Sequence, residues 1–211
     1  GAKLKGADLR GANLRNVDLS EVDLDGVVLQ GAVFRKGETL PQEIEEILKA
    51  HSLWIATGGA EGQRAVLNGR KLDGCNFSGC DLRGAELQNA SLMGADFSNA
   101  QLMFTSFAGA NLRKACFDMA DLSGTNFTGA SLAESRWRGA RAVGVDIYNA
   151  RNQRTGKVVY PRFQSADLSK ADLRGAIFEG IDFATADLSL ANLQGTELRQ
   201  CVGLHKGSRS A

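Results

Sequence analysis

Large apolar residues recur at every fifth position of this chain, each with a small residue two places before it. Leu4, Leu9, Leu14, Leu19, Leu24, Leu29 and Phe34 open the series, with Ala or Val two positions earlier in every case. A second block runs with the same period from Leu67 to Ile147, and a third from Phe163 to Leu198. Together they make thirty-two units, about three quarters of the chain. A period of five matches neither the 3.6 of a helix nor the 2 of a strand. It fits a short extended piece followed by a tight corner. The large residue and the small one two before it then share one side and point inward.

The corner falls two residues after each large residue and is Gly or Asn in most units, as at Gly74, Gly79, Gly84, Asn89, Gly94 and Asn99. Both types tolerate the positive φ that a type II turn requires. Four corners close a square, so one coil takes twenty residues, and thirty-two units give about eight coils. Asp or Asn commonly precedes the large residue, as at Asp81, Asp96 and Asn111, where a short polar side chain bonds to neighbouring backbone. Cys75, Cys80 and Cys201 take the small inward position and read as compact apolar groups, whereas Cys116 falls in an outward column.

Units such as Ala7-Asp8-Leu9, Ala12-Asn13-Leu14, Ala95-Asp96-Phe97, Ala110-Asn111-Leu112, Ala120-Asp121-Leu122, Ala166-Asp167-Leu168 and Ala191-Asn192-Leu193 carry the pattern A-[DN]-L-x-x. In this the sequence resembles the pentapeptide repeat family. The resemblance implies an all-β solenoid, a right-handed quadrilateral β-helix. The expected organisation is a single unit over 1–211, with repeat blocks 2–36, 65–148 and 161–200.

Two insertions break the period. Within 37–64, the stretch LPQEIEEILKAHSLWIATGG reads as one amphipathic α-helix, with Thr39 as candidate cap, Pro41 in its first turn, and Gly58 with Gly59 as its stop. Ile44, Ile47, Leu48, His51 and Trp54 share its apolar face. That face either packs on the rod or serves as a docking surface for a partner or a second copy. The segment Trp54 to Leu67 also resembles an element that recurs beside such repeats in bacterial proteins, which implies that helix and repeats form one unit.

The second insertion, 149–160, is a loop of about eleven extra residues and it is basic. Arg136, Arg138, Arg141, Arg151, Arg154, Lys157 and Arg162 stand against Asp146 alone, a net of +6 in a chain whose formal charge is +1. Such a run is either a solvated face or an electropositive patch for an acidic partner.

Composition narrows the function classes. The two histidines are far apart, the four cysteines have no metal spacing, and neither phosphate-binding glycine motif is present. No catalytic, cofactor-binding or metal-binding residues are therefore expected, and a filled narrow coil leaves no pocket for an enzyme. No apolar run reaches eighteen residues, so no membrane span is expected, and the reduced cysteines point to the cytoplasm. The near-neutral charge argues against nucleic acid. The expectation is a non-catalytic, rigid scaffold that binds an unknown protein partner, acidic where it meets the basic loop. A homodimer through a rod end or the inserted helix is a further expectation. The alternative comes from the resemblance: some pentapeptide repeat proteins mimic DNA and inhibit or protect type II topoisomerases such as gyrase. That mechanism wants an acidic rod, and the basic loop has the opposite sign.

Overall fold

The computed structural model describes residues 4, 6–9, 27, 40–149 and 151–204. The first repeat block, Thr39 and His205 therefore lie outside the described residues, apart from Leu4, Gly6 to Leu9 and Val27. From residue 65 onward the chain winds as a parallel coil. Successive turns pair in a register of twenty: Val66 with Glu86, Lys71 with Ser91, Asn76 with Asp96, Asp81 with Gln101, and so on along four sides. Six turns are described: 65–84, 85–104, 105–124, 125–144, 161–180 and 181–200.

The expected inward positions are the core. Every large residue from Leu67 to Ala142 and from Phe163 to Leu193 is buried, and Leu198 packs partly against them. Two opposite sides carry aromatic ladders. Phe77, Phe97, Phe117 and Trp137 stack with ring centroids 5.1, 5.3 and 4.7 Å apart. Phe107, Phe127, Phe163 and Phe183 stack at 5.3, 5.1 and 5.5 Å. The ladders meet edge to face across the interior, as between Phe97 and Phe107. Offset and edge contacts of this kind add to the burial itself. Leucines fill most of the other two sides.

The corners follow the expected chemistry, and more residue types make them than Gly and Asn. Gly74, Gly84 and Asn89 have φ of 68°, 72° and 56°, and Phe104, Met119 and Leu190 take the same conformation at 61°, 59° and 59°. Most corners close with a bond from the small residue's N–H to the carbonyl of the large residue three before it, for example Ala85 to Leu82 at 2.9 Å. The carboxylates and amides before the large residues accept the N–H two places on, as Asp96 does from Ser98 at 3.0 Å and Asp187 from Ser189 at 2.8 Å. Where Thr replaces the small residue, its hydroxyl bonds the carbonyl of the coil beneath: Thr105 to Leu82 at 2.7 Å and Thr125 to Leu102 at 2.9 Å.

Helix α1 spans Gln42–Ala56, with Pro41 at its N-cap position. Ile44 is buried in the core cluster, and Leu40, Ile47 and Leu48 pack against it. The helix thus packs on the core at the first described coil.

At the second insertion the structure departs from the expected boundaries. Arg141–Ala142 (β1) pairs with Ile177–Glu179 (β4), which pairs with Glu197–Arg199 (β5), all parallel. Asn126 likewise pairs with Arg162, a register of thirty-six in place of twenty. Sixteen residues therefore leave the rod, and they begin after Gly144. Ile147 is not an inward position of the coil. It lies in strand β2 (Val145–Tyr148), which pairs antiparallel with β3 (Arg154–Val159) in a hairpin. Phe163 takes the place above Phe127 that the count assigns to residue 147.

Candidate functional site

The two insertions supply the candidate contact residues, and the fold treats them differently. On α1, Ile44 and His51 are fully buried, while Ile47, Leu48 and Trp54 are half-buried. His51 Nδ1 accepts the Ala65 N–H at 3.1 Å, and the imidazole stacks on Trp54 with centroids 5.6 Å apart. Further along, the Gln63 N–H bonds the Ala50 carbonyl at 3.1 Å, and Arg70 grips both Glu43 oxygens at 2.8 and 3.2 Å. The apolar face is turned to the rod, so Ile44 and His51 have no surface to offer a partner in this structure.

The hairpin projects from one corner of the coil. Gly144 and Gly180 lie beneath the Tyr160 ring; a Cβ built on Gly180 would sit 2.2 Å from it. At the same corner one coil earlier, a Cβ on Gly124 would sit 2.9 Å from the Phe104 ring and 3.5 Å from Val145. Glycine is required at these places because the hairpin root rests on bare backbone. At the tip, Asn149 Oδ1 accepts the N–H groups of Arg151 and Gln153 at 2.9 and 3.0 Å. Every residue of β3 is exposed.

The seven basic residues fall into two groups. Three are neutralised by acids of the fold: Arg136 by Asp118 at 2.6 Å, Arg138 by Asp172 at 2.8 Å, and Arg154 by Asp146. Asp172 also receives two bonds from Arg174, at 2.8 and 2.9 Å. The Arg174 bonds first, and the Arg138 bond with them, hold its carboxyl down at about 2. Asp118 shows the opposite balance, since burial raises its pKa more than Arg136 lowers it. Arg141, Arg151, Lys157 and Arg162 form no ion pair among the described residues. Arg141 and Arg162 flank the hairpin root; Arg151 and Lys157 belong to the hairpin. Tyr148, Val158 and Val159 add exposed apolar area beside them.

Sequence reasoning missed the acids. Asp118 lies twenty residues before Arg138 and was open to the same column count. The Arg138 to Asp172 contact spans the excursion, and only its true length of sixteen brings the two together. Cys116 is buried despite its outward column, with the Arg136 guanidinium 3.0 Å from its Sγ. Burial pushes its thiol up to about 12 and that of Cys80 to about 11, so neither is a ready nucleophile. Among the described residues no group of three His, Cys, Asp or Glu could hold a metal ion, and no helix is long and apolar enough to cross a membrane.

The Pentapeptide repeats family matches the chain in eight copies, over residues 1–36, 63–99, 90–129, 120–151 and 166–202. Among solved structures, QnrB1, a plasmid-mediated fluoroquinolone resistance protein, matches at 20 % identity over 66 % of this chain and 76 % of its own, with a TM-score of 0.45. A pentapeptide repeat protein of the Arabidopsis thaliana thylakoid lumen matches at 20 % identity over 56 % and 68 %, with a TM-score of 0.37. HetL of Nostoc, described as involved in heterocyst differentiation regulation, matches at 22 % identity over 94 % and 81 %, with a TM-score of 0.30. Curated proteins give no match.

Proposed function

The chain belongs to the pentapeptide repeat family, whose members are right-handed quadrilateral β-helices, and from that premise we propose that it is a non-catalytic binding scaffold whose hairpin grips an acidic protein partner. The observation that carries this reading is the set of four cations, Arg141, Arg151, Lys157 and Arg162, with no acid partner among the described residues around an exposed hairpin. Everywhere else in the basic stretch the fold supplies a carboxylate. Unpaired cations on a low-dielectric ridge steer an anionic surface towards it, and the nearby Tyr148 provides contact area once it arrives. The rod's part is to hold that ridge rigidly at one corner.

The faces of the described rod speak against mimicry of a phosphate backbone. Several of its acids are paired with arginines, as in Asp81 with Arg83, Asp118 with Arg136 and Asp172 with Arg174, and among the described bridges between coils only Asp167 with Asp187 sets acid against acid.

The test is a capture of partners by the parent chain and by a variant carrying Arg141→Glu, Arg151→Glu, Lys157→Glu and Arg162→Glu, read by mass spectrometry. An acidic protein held by the parent, released by salt and absent from the variant is the expected result. Identical partner sets from a folded variant would sink the reading.

A further inference from the structure

His51 occupies the join between α1 and the first described coil. At most later corners the N–H of the small inward residue finds the carbonyl of the large residue three places back, as Cys75 finds Leu72 and Ala85 finds Leu82. Ala65 opens the coil and has no such residue behind it; His51 Nδ1 takes that N–H instead. Accepting at Nδ1 requires the neutral tautomer with its proton on Nε2. Nε2 is itself buried and has no hydrogen-bond partner. A second proton would destroy the bond to Ala65, since Nδ1 would become a donor facing a donor, and it would place a charge in the interior.

We infer that α1 is a proton-released cap, latched by neutral His51 to the first described coil and freed when that imidazole takes up a second proton. The charged groups around the ring fit such a release. Arg64 from the entering segment and Arg83 from the first coil both disfavour an imidazolium. Asp81 favours it, but Arg83 holds Asp81 at 2.7 Å. Burial is the largest influence and acts with the arginines to lower the His51 pKa. Among the described residues the other ties of α1 include the surface pair Glu43 with Arg70, the bond from Gln63 to Ala50, and the packing of Ile44, Ile47 and Leu48.

The direction follows by linkage. The docked imidazole titrates below 6.5 and the freed one near it, so the freed state binds more protons. Docking is full above about pH 6.5 and weakens as pH falls, about tenfold per unit until the docked pKa is reached.

The full chain labelled with 15N serves as the probe, with His205→Gln assigning the two imidazoles. The expected result is a His51 ring in the Nε2–H form at pH 8 that titrates below 6.5. The Ala65 amide and Trp54 indole should shift with the same midpoint. Amides of 42–56 should lose exchange protection, corrected for intrinsic rates, while those of 105–144 keep theirs. His51→Asn, which preserves an acceptor and cannot titrate, should flatten that dependence. The inference is overturned if His51 titrates with Ala65 and Trp54 unmoved, if it stays neutral until the rod itself unfolds, or if a docked His51→Asn variant releases α1 with the same pH profile. Should His51→Asn fail to dock at all, the parent decides: protection of α1 that follows His51 protonation supports the cap, and protection indifferent to it refutes it.

Discussion

Asp172 shows how much a single outward position can do once the coil places its neighbours. Its carboxylate takes three bonds from two guanidiniums, and these hold its pKa at about 2, below the ordinary 3.8. A depressed carboxyl pKa stabilises the fold fully above pH 3.8, and the contribution is lost as pH falls towards 2. Asp172→Asn is expected to cost about 1–2 kcal/mol at neutral pH, allowing for partial solvent screening. In denaturant titrations the gap between variant and parent should close between pH 4 and pH 2. The local rules were legible at this scale: inward Leu and Phe, small residues two before them, Asx bonds at the positions before. What escaped was the corner occupied by Phe104, Met119 or Leu190. A type II turn asks only for positive φ, and the packing of the coil enforces that on side chains that would not choose it.

The two insertions divide along the same line between local pattern and long-range register. Helix α1 was readable from its apolar face and its glycine stop because both are local. The sequence reads the hairpin as a loop that starts four residues too late. Val145 and Ile147 repeat the spacing of an ordinary unit, so nothing local distinguishes them from one. The decision is made by Phe163, which stacks on Phe127 and so forces the chain out after Gly144. The basic residues were visible as a cluster, but their sorting into paired and unpaired was not, because Asp118 and Asp172 arrive from neighbouring coils. The hairpin's anchorage can be isolated by comparing two corners. Gly129 and Gly180 share a φ of 67°, yet nothing lies within 4 Å of a Cβ at Gly129, whereas one at Gly180 meets Tyr160. Gly129→Ala should cost about 1 kcal/mol from left-handed strain alone. Gly180→Ala should cost more and should speed proteolytic cleavage within 145–159, measured side by side.

For the whole molecule the register of thirty-six makes a clean prediction, since it is one coil of twenty plus sixteen. Deleting 145–160 would join Gly144 to Pro161, with Ala142 and Phe163 five places apart as in any other unit. Gly144 would then be free to form the corner, which lacks its usual closing bond because Pro161 has no N–H to give the Ala142 carbonyl. That variant should fold to the same rod with a modest drop in thermal midpoint from the missing bond and should lose binding of an acidic partner, which separates the hairpin's role from the fold. A collapsed or aggregated product would show that the excursion is needed to build the coil. The parallel register has a mechanical consequence as well. Each turn is held only by the turns above and below it, so a described rod drawn out from its last coil would peel one winding at a time. The sawtooth should advance in even steps of roughly 70 Å, from twenty residues at about 3.5 Å each. A single longer stride of roughly 120 Å should mark the winding from which the hairpin springs, where thirty-six residues are released together.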